Sequence, residues 1–201
     1  MGKELEYKLH VPDETLLLQI LSDADVKKLA VGSWQETVMK TSYYDTKDGR
    51  FSSRHWTLRH RMEGDDSIIC VKTPQREAHT RGEWQIPAPQ INESAIISLI
   101  EAGAPKEMLF LYGDGKIAPV CGAEFLRRHV MLEFSDGSRA ELAGDCGLLR
   151  GKTQALPFCE LELELYDGAP DQMLSLVELL CRRYGLREQP RSKHARARAL
   201  E

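Results

Sequence analysis

The sequence predicts an α+β fold: about eight β-strands in an antiparallel sheet curled around a charged interior, with three or four helices on its outside. Three observations predict it. Charged and apolar residues alternate in widely separated stretches, Glu4-Leu5-Glu6-Tyr7-Lys8, Leu58-Arg59-His60-Arg61, Arg81-Gly82-Glu83-Trp84-Gln85 and Cys159-Glu160-Leu161-Glu162-Leu163-Glu164-Leu165. In a strand, period two gives each of these one charged face and one apolar face. Turn signals at Gly64-Asp65-Asp66 and Asp136-Gly137 join strand-like runs, and the stretches outside the strands place apolar residues at helical spacing.

The elements follow in order. After the first strand, Asp13 caps a helix whose apolar positions are Leu16, Leu17, Ile20 and Leu21. Residues 34–45 form a strand weighted by Thr37, Val38, Thr41, Tyr43 and Tyr44 and ended by the turn Asp45-Thr46-Lys47-Asp48-Gly49. Trp56–Glu63 and Ser67–Thr73 make a hairpin, and residues 81–86 a further strand stopped by Pro87-Ala88-Pro89. Asn92 caps a helix carrying Ile96, Ile97, Leu99 and Ile100. Arg127–Phe134 and Arg139–Leu142 make a second hairpin around Asp136-Gly137. Strict pairing across a two-residue turn there sets Arg128 opposite Asp145; a bulge would present Arg127 instead. The strand at 159–165 leads to an amphipathic helix from Met173 to Leu180 that ends near Tyr184-Gly185, and the tail Arg191–Arg198 is basic.

At 201 residues the chain suits one domain, 1–201, with a sizeable core. A net charge of −4 excludes a surface that is basic all over, so no nucleic acid partner is expected and any basic site is local. Five cysteines are an odd number without CxxC spacing, and neither a signal peptide nor a long apolar run is present. Together these predict reduced thiols, a cytoplasmic location and no membrane partner. The six histidines lack zinc-like spacing. The sequence leaves the oligomeric state open, a dimer being one option.

If the charged faces converge, as closure into a barrel would require, the interior holds Lys8, Arg59, Arg61, Lys72, Arg81, Lys193 and either Arg127 or Arg128. It also holds Glu4, Glu6, Glu83, Asp145, Glu160, Glu162 and Glu164. Such an interior must be wet, paired or filled by a ligand, because an uncompensated buried ion costs several kcal/mol. Clustered carboxylates without thiolate or grouped imidazole suit hard cations, Mg²⁺ or Mn²⁺. The guanidinium and ammonium groups suit a polyanion, and no Gly-x-x-x-x-Gly-Lys loop is present to hold phosphate otherwise. For Arg59 and Arg61 taken alone, a solvated strand face is the simpler reading. The three aligned carboxylates divide evenly between site and surface, and Tyr44 alone reads as packing.

The Glu-x-Glu-x-Lys start, Tyr44-Asp45-Thr46, Leu58-Arg59-His60-Arg61, Val71-Lys72-Thr73, Glu160–Glu164 and Ser192-Lys193, in that order along nearly the whole chain, resemble the CYTH superfamily of triphosphate tunnel metalloenzymes. The resemblance implies a closed antiparallel eight-stranded β-barrel, a tunnel flanked by helices, in which a triphosphate is hydrolysed with Mg²⁺ or Mn²⁺. It implies metal ligands among Glu4, Glu6, Asp145, Glu160, Glu162 and Glu164. It also implies phosphate contacts from Lys8, Arg59, Arg61, Lys72, Arg81, Arg127 or Arg128, and Lys193. Lys8 with Glu4, Glu6, Glu160 and Glu162 would carry catalysis. The Glu160–Leu165 run and Ser192-Lys193 look most like bacterial inorganic triphosphatases, which act on tripolyphosphate. Thiamine triphosphatases and class IV adenylyl cyclases are the alternatives within the superfamily, and a non-catalytic polyphosphate or nucleotide sensor is the alternative outside catalysis. Gln85 stands where a second acid is commoner, which puts a metal role for that strand in doubt, and the roles of Glu83, Glu141 and Tyr44 stay open.

Overall fold

A computed structural model describes residues 4–74 and 79–200, with the backbone alone at Glu4 and Thr80. The strands are β1 (Glu4–Val11), β2 (Ala30–Thr46), β3 (Thr57–Glu63), β4 (Asp66–Pro74), β5 (Thr80–Pro87), β6 (Ile117–Glu133), β7 (Arg139–Arg150), β8 (Ala155–Asp167) and β9 (Arg187–Glu188). The helices are α1 (Glu14–Leu21), α2 (Ala24–Leu29), α3 (Glu93–Glu101), α4 (Glu107–Tyr112), α5 (Asp171–Tyr184) and α6 (Lys193–Arg198). Asp13 caps α1 by accepting from Leu16 N at 2.8 Å, and Asn92 caps α3 by accepting from Ala95 N at 2.9 Å, as their sequence positions predict. Gly185 ends α5 at φ +67°, a left-handed conformation that glycine adopts without the Cβ penalty.

The strand order is β5-β4-β3-β2-β6-β7-β8-β1-β9, with antiparallel neighbours throughout. This corrects the expected closed eight-stranded barrel: among the described residues the sheet has nine strands and is not closed along its length. Among the described residues, β1 meets β5 at Glu4↔Arg81 and Leu5↔Thr80, whereas its ladder with β8 runs from Glu6↔Glu164 to Val11↔Cys159. The reason lies on the same edge of β1, where β9 pairs at Leu9↔Glu188 and His10↔Arg187 and takes the backbone groups that a longer β1–β5 seam would need. The sheet is nonetheless strongly curled, helped by the 17-residue strands β2 and β6 and by register shifts between Val31/Gln35 and Tyr43/Tyr44.

Alternation then sorts the side chains. On the outside of β1, β6, β7 and β8, Leu9, Val11, Val130, Leu142, Leu161 and Leu163 pack under α1, α2 and α5. On the outside of β3 and β4, Leu58, Ile69 and Val71 pack under α3 and α4. A third apolar group, Met39, Tyr43, Ala123, Phe125, Leu149 and Phe158, packs with Ala197 of α6. Charges on the alternate positions therefore face the concave side.

Two expectations are corrected here. The β6–β7 connection is a three-residue loop rather than a two-residue turn, since Phe134 N donates to Ser138 O at 2.9 Å and Gly137 takes φ +82°. The extra loop residue shifts the register by one, so Arg127, not Arg128, pairs with Asp145. Cys146 and Cys159, directly opposite on β7 and β8 with Cα atoms 4.3 Å apart, form a disulfide. The reduced-thiol expectation, on which the cytoplasmic reading partly rested, therefore fails for these two. No helix among the described residues is long and apolar enough to cross a membrane.

Candidate functional site

The charged faces meet around one cavity of about 570 Å³. One wall carries most of the cations: β3 contributes Arg59 and Arg61, β4 Lys72 and β5 Arg81, with Glu63, Asp66 and Glu83 on the same strands. The other is mainly acidic, with Glu6 and Lys8 from β1 and Glu162 and Glu164 from β8. Arg127 from β6 and Lys193, at the first turn of α6, also line it.

On the basic wall, Glu83 holds two cations, accepting from Arg59 Nη2 at 3.0 Å and lying 3.0 Å from Lys72 Nζ. That assigns Glu83 a positioning place. Arg61 pairs with Glu63, yet its buried Nε makes no hydrogen bond among the described residues. Burial, and then the neighbouring Arg59 guanidinium, lower the pKa of Arg61 from its ordinary value. An anion in the cavity would reverse that cost.

On the acidic wall, Asp145, Glu160 and Glu162 bring carboxylate oxygens within 4.8 Å of one another, an all-oxygen donor set suited to a hard divalent ion. Lys193 Nζ already sits among them, 2.7 Å from Asp145 and 2.8 Å from Glu162, and also touches Glu160. Arg127 grips Asp145 with two hydrogen bonds, at 2.8 and 2.7 Å, and reaches Glu162 at 2.5 Å, while Arg196 binds Glu160. Asp145 and Glu160 are fully buried behind these cations and do not line the cavity. Glu6 and Glu164 stand opposite each other in register on β1 and β8 and do line it. Among the described residues, the Glu6 carboxylate has only a long ion pair to Lys8 at 3.6 Å, and that of Glu164 has no hydrogen bond or ion pair. Among the described residues, the carboxylates close enough to share one ion are thus Asp145, Glu160 and Glu162, with Lys193 standing between them, while Glu6 and Glu164 face the cavity next to Glu162.

Of the residues singled out from sequence, Lys8, Arg59, Arg61, Lys72, Arg81, Arg127, Lys193, Glu6, Glu162 and Glu164 come together here. The side chain of Glu4 lies outside the described residues. Arg128 does not join them: on the outer face it donates to Glu36 at 2.8 Å and to Glu14 at 2.9 Å, tying β6 to α1. Tyr44 packs outward with the α3/α4 core. The sequence reading missed Arg196, although its place three residues after Lys193 on a helix capped by Ser192 was a usable signal. It also missed Tyr43, His129 and His194, which line the cavity. His129 and Tyr43 sit at inward positions of β6 and β2, where alternation alone would have found them.

The carboxylates carry a pH signature. Burial, opposed by Lys193 and reinforced by Glu162, pushes Glu160 up to about 7. Burial, opposed by Lys72 and reinforced by Glu6 and Glu83, does the same to Glu164. Burial also pushes on Glu162, but Lys193 and Arg127 outweigh it and hold that group well below the carboxylate range. Between about pH 4.5 and 7 the folded state therefore binds more protons at Glu160 and Glu164 than the unfolded chain, and stability falls as pH rises. Glu162 acts only below that window. His60 and His194, whose pKa burial lowers, act in the opposite sense, so the carboxylate contribution is read as a difference: Glu164→Gln should gain melting temperature at pH 8 relative to wild type and gain less at pH 5.5, which calorimetric scans of the metal-free proteins check.

Comparison with known proteins places these features in context. A CYTH domain family model matches residues 2–197. The inorganic triphosphatase of Haemophilus influenzae is 25% identical over 183 residues, 90% of this chain and 50% of its own length. The chain thus spans about half the length of that curated relative. Among solved structures, the "putative adenylyl cyclase HpAC1" from Hippeastrum, described as having a dominant triphosphatase activity, superimposes with a TM-score of 0.60 at 19% identity, covering 97% of this chain and 94% of that one. The PH1819 protein from Pyrococcus horikoshii gives 0.57 at 15% identity, covering 96% of each chain.

Proposed function

Because the chain belongs to the CYTH domain family, we propose that it is a metal-dependent triphosphatase that cleaves inorganic tripolyphosphate to pyrophosphate and phosphate in this cavity. The observation that carries the proposal is the facing of a basic wall, Arg59, Arg61, Lys72 and Arg81, by an acidic one, Glu6, Glu162 and Glu164, across one space. The inorganic triphosphatase of H. influenzae supports the substrate class.

In this reading the basic wall grips phosphate oxygens, the arginines by paired N–H donors and Lys72 as a point charge. Glu6, Glu162 and Glu164 would hold Mg²⁺ or Mn²⁺, with Glu4 beside them in β1 and with Asp145 and Glu160 beneath. The ion supplies neutralisation of the phosphate charge and orientation of the attacking water. Lys8, 3.6 Å from Glu6, polarises the reacting phosphoryl group, and Arg127 and Lys193 keep Glu162 ionised and aimed. Phosphoryl transfer needs positioning and charge stabilisation more than covalent chemistry, and this lining provides both.

The experiment is phosphate release from tripolyphosphate, thiamine triphosphate and ATP, each with Mg²⁺ and with Mn²⁺. Tripolyphosphate should be turned over fastest. Cyclic AMP from ATP, preference for thiamine triphosphate, or tight binding without turnover would each replace the reading by a cyclase, a thiamine triphosphatase or a non-catalytic module.

A further inference from the structure

His129 lines the cavity from β6, and its Nδ1 lies 3.1 Å from Glu141 Oε2 on β7. Glu141 in turn lies 3.9 Å from Arg127 Nη1, so the carboxylate is itself anchored. Nε2 makes no hydrogen bond among the described residues. A carboxylate that accepts from Nδ1–H fixes the imidazole ring and tautomer and leaves Nε2 as a proton acceptor.

The register shows what that acceptor faces. His129 pairs with Ala143, Ala143 with Glu162, and Glu162 with Lys8, so these four occupy one row across β6, β7, β8 and β1. Across two strand spacings His129 and Glu162 stand about 10 Å apart at the backbone. The inward residue between them is Ala143, which is buried and does not itself line the cavity, while His129 and Glu162 on either side of it both do. Among the residues of this row, only the imidazole can take a proton while Glu162 and Lys8 keep their charges.

We propose that His129 is the general base of the reaction, with Glu141 as its positioning residue; this rests on the triphosphatase reading. As the water oxygen attacks the terminal phosphorus, its O–H bond breaks and the proton passes to Nε2. The new P–O bond forms, the bridging P–O bond breaks, and pyrophosphate departs with the bonding electron pair. The imidazolium then returns its proton to solvent.

The test compares wild type, His129→Ala, His129→Asn and Glu141→Gln on tripolyphosphate with Mg²⁺, with melting curves alongside. Both His129 variants should lose about 100-fold or more in kcat with KM little changed, since general base catalysis contributes about 10²–10⁴-fold. Added imidazole should restore turnover to His129→Ala and leave wild type unaffected. Glu141→Gln should lower kcat less and gain nothing from imidazole. Variants with near-normal kcat, or a loss that tracks a lowered melting temperature or a raised KM and is not rescued, would overturn the assignment while wild-type turnover stands. A wild type inactive on every triphosphate would instead overturn the triphosphatase reading, and this inference with it.

Discussion

Glu162→Gln should cut tripolyphosphate hydrolysis by at least about 100-fold while leaving the protein folded. Glu162 is the carboxylate shared by the two acidic groups: it lines the cavity beside Glu164 and belongs to the buried set with Asp145 and Glu160. Loss of residues that merely support a metal ligand costs about 10–100-fold, so loss of a ligand's charge should cost more. The fold survives because Arg127 keeps both bonds to Asp145, and Lys193 keeps Asp145 and Glu160. Steady-state phosphate release and a circular-dichroism melt check the two halves. An active variant would remove Glu162 from the metal site, and an unfolded one would make it a structural residue.

Lys193→Met should have the largest effect on stability, about 3–5 kcal/mol at pH 8, the range found when one partner of a buried ion pair is removed. Its ammonium touches Asp145, Glu160 and Glu162 at once, and these raise its pKa well above the ordinary lysine value despite the opposing effect of burial. Without it, the cations left in contact with three carboxylates whose oxygens lie within 4.8 Å are, among the described residues, Arg127 and Arg196. Because Glu160 already titrates near 7, protonation at pH 5.5 should relieve the repulsion and shrink the loss. Denaturant titrations of the metal-free variant at both values measure this, and a loss equal at both would show that the ammonium acts through packing.

The alternation of charged and apolar residues made the site legible, because a strand has only two faces and helices were available for one of them. Leu58 under α3 and α4 forces Arg59 inward, and Leu161 and Leu163 under α1 and α5 force Glu160, Glu162 and Glu164 inward. Closure was not legible. It depends on β9, a two-residue strand whose sequence, Arg187-Glu188, carries no strand signal, taking the edge of β1. The choice between Arg127 and Arg128 turned on one loop residue, and a one-residue slip exchanges the faces of every side chain beyond it. The split of the carboxylates into a cavity-facing group and a group sealed by Lys193 and Arg196 was hidden for a different reason. It is set by where α6 docks, a tertiary contact with no local pattern.

On the triphosphatase reading the concave face binds a polyphosphate. The most direct measurement is the melting temperature with and without tripolyphosphate and Mg²⁺, in low and moderate salt, for wild type and Arg61→Ala. At a hundredfold excess over the dissociation constant, binding to the folded state alone adds about 2.7 kcal/mol, or about 5–10 °C for a chain of this size. That rise should persist in moderate salt, because charges inside the cavity are screened less than surface charges, and it should shrink sharply in Arg61→Ala. A small rise, erased by salt and equal in both proteins, would contradict the account and put the phosphate on an outer surface.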